Sequence, residues 1–247
     1  TMSRRHFLAA TMAGAGAAAG GLSLGPSTPW ASEPRLATLA AARPKVVAFL
    51  ASLEPDQRAR AGFALRSETW TRWNFMGTTL IKPGLPLSAM TPAQRDAALD
   101  VMAAVLSPAG FAKAKRVMNL QDVLVALGDG VGRRSSQHFS LAIFGTPSAT
   151  DAWGLRFEGH HLTLSVTLVG DDVVSVTPSS FSCNPNDVPV GAARGTTALI
   201  EEEDLARALY ADLKGGAAKR ALIQERAYRN IMATAGRETL HKTPEGV

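Results

Sequence analysis

Cysteine is nearly missing. Cys183 is the only one among 247 residues, which excludes an intramolecular disulfide and any zinc cluster built on cysteines. Acidic residues are missing altogether from positions 1–31. No phosphate-cradling glycine loop, nucleophile elbow or zincin helix motif occurs, and there is no internal repeat. A large charge excess is lacking too. Twenty-six Lys and Arg face 21 Asp and Glu, a net charge of +5, and the excess shrinks if Arg4 and Arg5 are removed with a leader. So small and scattered a surplus gives no footing to nucleic acid or an anionic membrane. Against these absences stand 46% hydrophobic and 19% charged residues. That composition can bury a core, and the length fits one large folded, soluble domain.

Residues 2–31 read as an export signal. Arg4-Arg5 stands directly before His6-Phe7-Leu8 and an uncharged stretch, rich in Ala and Gly, that runs to about Leu24. Leu, Phe and Met are sparse in it, so it falls short of the roughly 20 strongly apolar residues of a stable membrane anchor. The pattern is that of a twin-arginine signal, with cleavage plausible after Ala31. The expected partner is the twin-arginine export machinery and the expected destination is periplasmic or secreted. Because that route carries proteins already folded, a cofactor acquired in the cytoplasm becomes more plausible.

The mature chain, 32–247, reads as a single α+β domain. Val46, Val47, Leu50 and Leu53 recur at helical spacing, and Glu54-Pro55-Asp56-Gln57 opens a second helical stretch towards Phe63. Trp70 to Phe75 reads as an extended or loop segment. Thr91-Pro92-Ala93-Gln94 forms a capping box for a helix to about Leu106, and Ser107-Pro108 starts another that runs to Leu127. The period then changes to two. Phe139, Leu141 and Ile143 alternate with small or polar partners, as do Leu162, Leu164, Val166 and Leu168. Gly170-Asp171 turns into Val173–Thr177. The expectation is a central antiparallel meander of about three strands between N-terminal and C-terminal helices, the latter over Ile200–Leu213 and Ala217–Ala233.

The densest polar cluster is Trp153-Gly154-Leu155-Arg156-Phe157-Glu158-Gly159-His160-His161. If the strand that starts at Leu162 extends backwards, Glu158 and His160 share the face of Leu162 and Leu164, and a bulge at Gly159 could bring His161 to the same side. Two imidazoles and a carboxylate suit a transition metal such as zinc, iron or copper. In that reading His160 and His161 are metal ligands and Glu158 is the catalytic base of a hydrolase-like site, with Arg156 and Asn184 facing an unknown small-molecule substrate. The alternative is a ligand-binding or structural module without catalysis: Trp70, Trp73 and Phe75 line a ligand surface, or the histidines are packed and Glu158 pairs with Arg156. Cys183 would need a histidine base to act as a nucleophile. Glu201-Glu202-Glu203-Asp204 suits the acidic first turn of a helix.

A set of blocks in order carries a resemblance. Pro83-Gly84-Leu85, Met90-Thr91 with Gln94, Leu106-Ser107 with Gly110-Phe111, Phe144-Gly145 with Pro147-Ser148, the Trp153 to His161 block, Asn184-Pro185, and Glu202-Glu203 with Leu205-Ala206-Arg207 together resemble a bacterial family of domains of unknown function, number thirty-five hundred. The resemblance implies membership without a named reaction, and often export. It also implies a small residue where Cys183 stands, and a further segment with histidines beyond Pro244-Glu245-Gly246. On that reading the chain is C-terminally truncated.

Overall fold

The computed structural model describes residues 39–76, 82–131, 133–222 and 225–226. Residues 2–31, where the export signal is expected, lie outside them. Helices α1 (Ala42–Ala51) and α2 (Pro55–Ala61) come first, then strand β1 (Gly62–Phe63), the short helix α3 (Glu68–Thr71) and β2 (Leu85–Pro86). Helices α4 (Pro92–Ala104) and α5 (Pro108–Ala126) follow. Next come β3 (Ser140–Phe144), β4 (Ala152–Gly159), β5 (Leu162–Val169), β6 (Asp172–Ser175) and β7 (Ser179–Phe181), and then α6 (Ile200–Asp212) and α7 (Gly215–Ala221). The Thr91 capping box forms as its residue types dictate: Thr91 Oγ1 accepts from the Gln94 N–H at 3.3 Å and Gln94 Oε1 from the Thr91 N–H at 2.9 Å. Ser107 Oγ caps α5 in the same manner through the Gly110 N–H at 3.1 Å. Residues 227–233, the end of the last expected helix, lie outside the described residues.

Mixed helices and strands are present, but the layout corrects the expectation. Among the described residues the sheet has seven strands rather than about three, and β1 and β2 are interleaved with the first helices. A helical turn, α3, replaces part of the extended segment expected around Trp70. The path β1-β3-β4-β5-β6 is antiparallel except for β1, which runs parallel to β3. Both short early strands share one edge, β2 beside Ser140–Leu141 and β1 beside Ile143–Phe144. On the other side β7 lies along the start of β5 and β6 along its end. Among the described residues no helix is long and apolar enough to cross a membrane.

The two faces of the sheet differ in chemistry. Leu141 and Ile143, Trp153, Leu155 and Phe157, and Leu162, Leu164, Val166 and Leu168 enter one apolar core with Val46, Phe49, Val101, Met102, Val117 and Met118 from α1, α4 and α5. The alternate positions Ser140, Arg156, Glu158, Thr163 and Ser165 point the other way, yet they are buried as well. An antiparallel sheet commonly leaves its second face to water; here that face is covered.

Gly159 closes the apolar side of the hairpin. A Cβ built on it would stand 2.1 Å from Phe139 Cδ1, and the Phe139 ring is already stacked on Phe157 at 6.0 Å. Gly159→Ala is therefore expected to cost about 1–3 kcal/mol through overpacking, read as a fall in the urea midpoint at constant slope. An unchanged midpoint would mean that Phe139 can yield.

Candidate functional site

The cover of the polar face is a strap formed by residues 68–76 and Lys82, and the sheet's charged side chains hold it. Arg156, fully buried, donates from Nη1 to the Trp70 carbonyl at 3.1 Å and from Nη2 to the Thr69 carbonyl at 2.9 Å. Its Nε lies 2.7 Å from Glu158 Oε2. The approach of those two atoms is off the line of a hydrogen bond, so attraction between charges holds them. Glu158 Oε1 accepts the Asn74 N–H at 2.5 Å. Lys82 Nζ donates to Asn74 Oδ1 at 2.7 Å and to the Met76 carbonyl at 2.8 Å. Burial pushes the Glu158 carboxyl up, opposed by Arg156, the Asn74 N–H and Lys82. Burial likewise pulls Lys82 down to about 8. Around this network the Trp70 ring packs edge-on against Phe144 at 4.6 Å, which makes it part of the packing of the cover.

The two histidines form the turn between β4 and β5. Gly159 pairs with Leu162 and Glu158 with Thr163, so His160 and His161 are a two-residue hairpin loop. His161 has φ of 66°, the left-handed region that such loops use and that histidine enters more readily than most residues. The turn resets the register. Glu158 therefore faces the side of Thr163, opposite Leu162 and Leu164, contrary to the expectation from extending the strand backwards. The His161 N–H donates to the Phe75 carbonyl at 2.9 Å and its carbonyl accepts from the Ser182 N–H at 2.9 Å, which fastens the turn to the strap and to the residue after β7.

The imidazole rings are 4.0 Å apart, tilted by 47°, and their partners set their proton positions. His160 Nδ1 lies 2.8 Å from Arg134 Nη1 and 2.8 Å from Gln121 Oε1. A guanidinium can only donate, so Nδ1 accepts there and the ring proton sits on Nε2. Nδ1 carries one lone pair, which the Arg134 donor takes. His161 Nδ1 lies 2.8 Å from Ser182 Oγ, and that hydroxyl is 3.3 Å from the His161 carbonyl. The hydroxyl donates to the carbonyl and so accepts from Nδ1–H, leaving a lone pair on Nε2. The pair thus carries one Nε2–H, on His160, and one Nε2 lone pair, on His161. Both rings are neutral at neutral pH. Burial, then His161, Arg134 and Lys82 push His160 down to about 3, and burial and Arg134 push His161 down to about 4.

The residues expected to share one site divide between two settings. His160 and His161 come together, but Glu158 and Arg156, expected as catalytic base and substrate contact, are sealed under the strap at 1% and 0% exposure. Among the described residues no group of three or more His, Cys, Asp or Glu is placed to hold a metal ion. Asn184 is exposed, in the loop after β7. The Cys183 thiol is pushed up by burial and by Glu203, Asp187 and Glu202, which disfavours a reactive thiolate. Glu201 and Glu202 pair with Arg116 and Lys113 from the first turn of α6. Gln121, Arg134, Ser182, Lys82 and Asn74 escaped the sequence reading, since each is ordinary in its own segment and gains meaning only by meeting the β4–β5 turn.

The fold and site define a mixed α/β domain, one face of its sheet roofed by a strap, with a neutral imidazole pair at one hairpin end. Its affiliation is plain: the chain belongs to the family described as "Protein of unknown function (DUF3500)", whose match covers residues 36–247. No curated protein and no solved structure matches the chain.

Proposed function

We propose that the chain is an exported protein, routed by the Arg4-Arg5 signal to the periplasm or beyond, that binds a small organic acid at the His160–His161 turn. The observation that carries this reading is the 2.8 Å approach of Arg134 Nη1 to His160 Nδ1. A guanidinium at that position supplies positive charge and fixes the His160 ring proton on Nε2, where it can donate. Lys82 adds positive potential nearby, while Glu158 is spent on Arg156 and Asp129 holds only Nη2 of Arg134, at 3.1 Å. A carboxylate would accept from the His160 Nε2–H, drawn there by the charge of Arg134 across the ring, and a hydroxyl beside it could donate to His161.

A second reading keeps a transition metal on the two Nε2 atoms. Gln121 Oε1 and Ser182 Oγ favour it, since a ligating imidazole usually donates its other N–H to such an acceptor. The positive neighbours oppose it, and Arg134 would have to leave His160.

Calorimetric titration of the purified chain with acetate, succinate, inorganic phosphate and, separately, zinc separates the two. The acid reading predicts saturable carboxylate binding that His160→Ala weakens roughly 10-fold, the effect of losing its hydrogen bond, with Arg134→Ala acting in the same direction through the loss of its charge. Carboxylate binding that is absent, or indifferent to both substitutions in folded variants, would end it. Stoichiometric zinc binding lost on replacing either histidine would establish the metal reading in its place.

A further inference from the structure

On the strapped face of the sheet, Arg156 Nε, Glu158 Oε2, Thr163 Oγ1 and Ser165 Oγ are buried and find no hydrogen-bond partner among the described residues. All four side chains belong to residues at most 1% exposed. They are also neighbours. Arg156 stands opposite Ser165 and Glu158 opposite Thr163 in the pairing of β4 with β5, and positions two apart on a strand share a face. The side chains therefore form a two-by-two block, about 5 Å across the strands and about 7 Å along them. A buried polar atom without a partner is costly, and four on adjacent residues point to a shared guest.

The chemistry of the block selects that guest. The Arg156 Nε–H can only donate and the ionised Glu158 Oε2 can only accept, whereas each hydroxyl does either. The two atoms of the ion pair attract one another at 2.7 Å, and their opposite charges give neither an anion nor a cation an advantage over the block as a whole. A water molecule matches it, because water donates twice and accepts twice and, when buried, makes about three hydrogen bonds. Side chains paired across two strands are close enough for one molecule to reach both with bonds of about 2.8 Å. The same two charged residues hold the strap, Arg156 at the Thr69 and Trp70 carbonyls and Glu158 at the Asn74 N–H, so the guest is enclosed beneath it.

We propose that Arg156, Glu158, Thr163 and Ser165 form an internal water site between the β4–β5 hairpin and the strap. Ordered water there accepts from the Arg156 Nε–H and donates to Glu158 Oε2, and the two hydroxyls complete the network. Donation to Glu158 favours the ionised carboxylate that burial disfavours, and so preserves the charge that partners Arg156 under the strap. The site is independent of the organic-acid reading, which uses His160, His161 and Arg134.

A crystal structure of the full chain, together with water magnetic relaxation dispersion in solution, tests it. Expected are density about 2.7–3.2 Å from three or more of the four atoms and a long-lived water signal that falls in Thr163→Val and further in Thr163→Val with Ser165→Ala. The urea midpoint of Thr163→Val, which nearly keeps the side-chain shape, should fall because a hydroxyl bonded to water is lost. A midpoint that holds or rises, with no density among the four atoms of the wild type, would show a dry seam and overturn the proposal. Density that anomalous scattering identifies as chloride would overturn it as well. Where the readouts disagree, or the variants fail to fold, the wild-type density decides.

Discussion

Replacing Arg156 by methionine should lower the free energy of unfolding by about 3–5 kcal/mol, the usual consequence of removing one member of a buried ion pair. Three losses combine. Glu158, 1% exposed, would be left as an uncompensated buried charge and would take up a proton. The carbonyls of Thr69 and Trp70 would lose their donors. The cation resting over the Phe144 ring, 5.3 Å from its centroid, would also go. Urea denaturation of Arg156→Met, Glu158→Leu and the double variant measures the pair: the double variant should be more stable than the sum of the single losses requires, because an apolar pair leaves no charge stranded. Strict additivity would mean that the two side chains do not depend on one another. Since both carry the strap, faster proteolysis near residues 72–76 should accompany the loss.

The second large effect is acid sensitivity. His160 and His161 are held down to about 3 and about 4, against 6.5 in the unfolded chain. Between those limits the unfolded chain binds more protons, so stability rises with pH. The contribution is complete above pH 6.5 and is lost as pH falls through about 4 and then about 3. Each histidine adds a slope of up to about 1.4 kcal/mol per pH unit. Their partial exposure reduces this, leaving a combined loss of roughly 2–3 kcal/mol two units below the unfolded pKa. Glu158, whose carboxyl is pushed up, works in the opposite sense and gains stability on acidification. The variant with His160→Asn and His161→Asn isolates the imidazole part: its stability should be nearly flat from pH 6.5 to pH 5, a range set by the unfolded histidine value. A slope as steep as that of the wild type would show that the titrating groups lie elsewhere.

Much of the fold was legible because local rules wrote it. Thr91 to Gln94 and Ser107-Pro108 start α4 and α5, and the alternation of Leu162 to Leu168 makes β5. Strand β4 was equally legible in principle, since Trp153, Leu155 and Phe157 alternate with Gly154, Arg156 and Glu158, but two charged residues in that alternation drew attention as chemistry instead. The two-residue strands β1 and β2 carry no period at all and exist only because the edge of β3 pairs with them. Of the candidate site, the clustering of Glu158 to His161 could be read, but not its division. A left-handed residue at His161, without an Asn-Gly or Asp-Gly signal, cannot be told from a continuing strand, and that one turn sends the carboxylate and the imidazoles to different partners.

By itself the sequence determined the helix starts, the β5–β6 hairpin turn at Gly170-Asp171, the absence of an intramolecular disulfide or cysteine-zinc chemistry, and the family, all of them matters of residue type and short spacing. Only the tertiary structure decided that Arg156 and Glu158 are sealed and that His160 meets Arg134 and Gln121. Those outcomes depend on which segment covers the polar face of the sheet and which loop reaches the hairpin end. Burial and electrostatic neighbours are properties of the packed chain, and no local rule carries them.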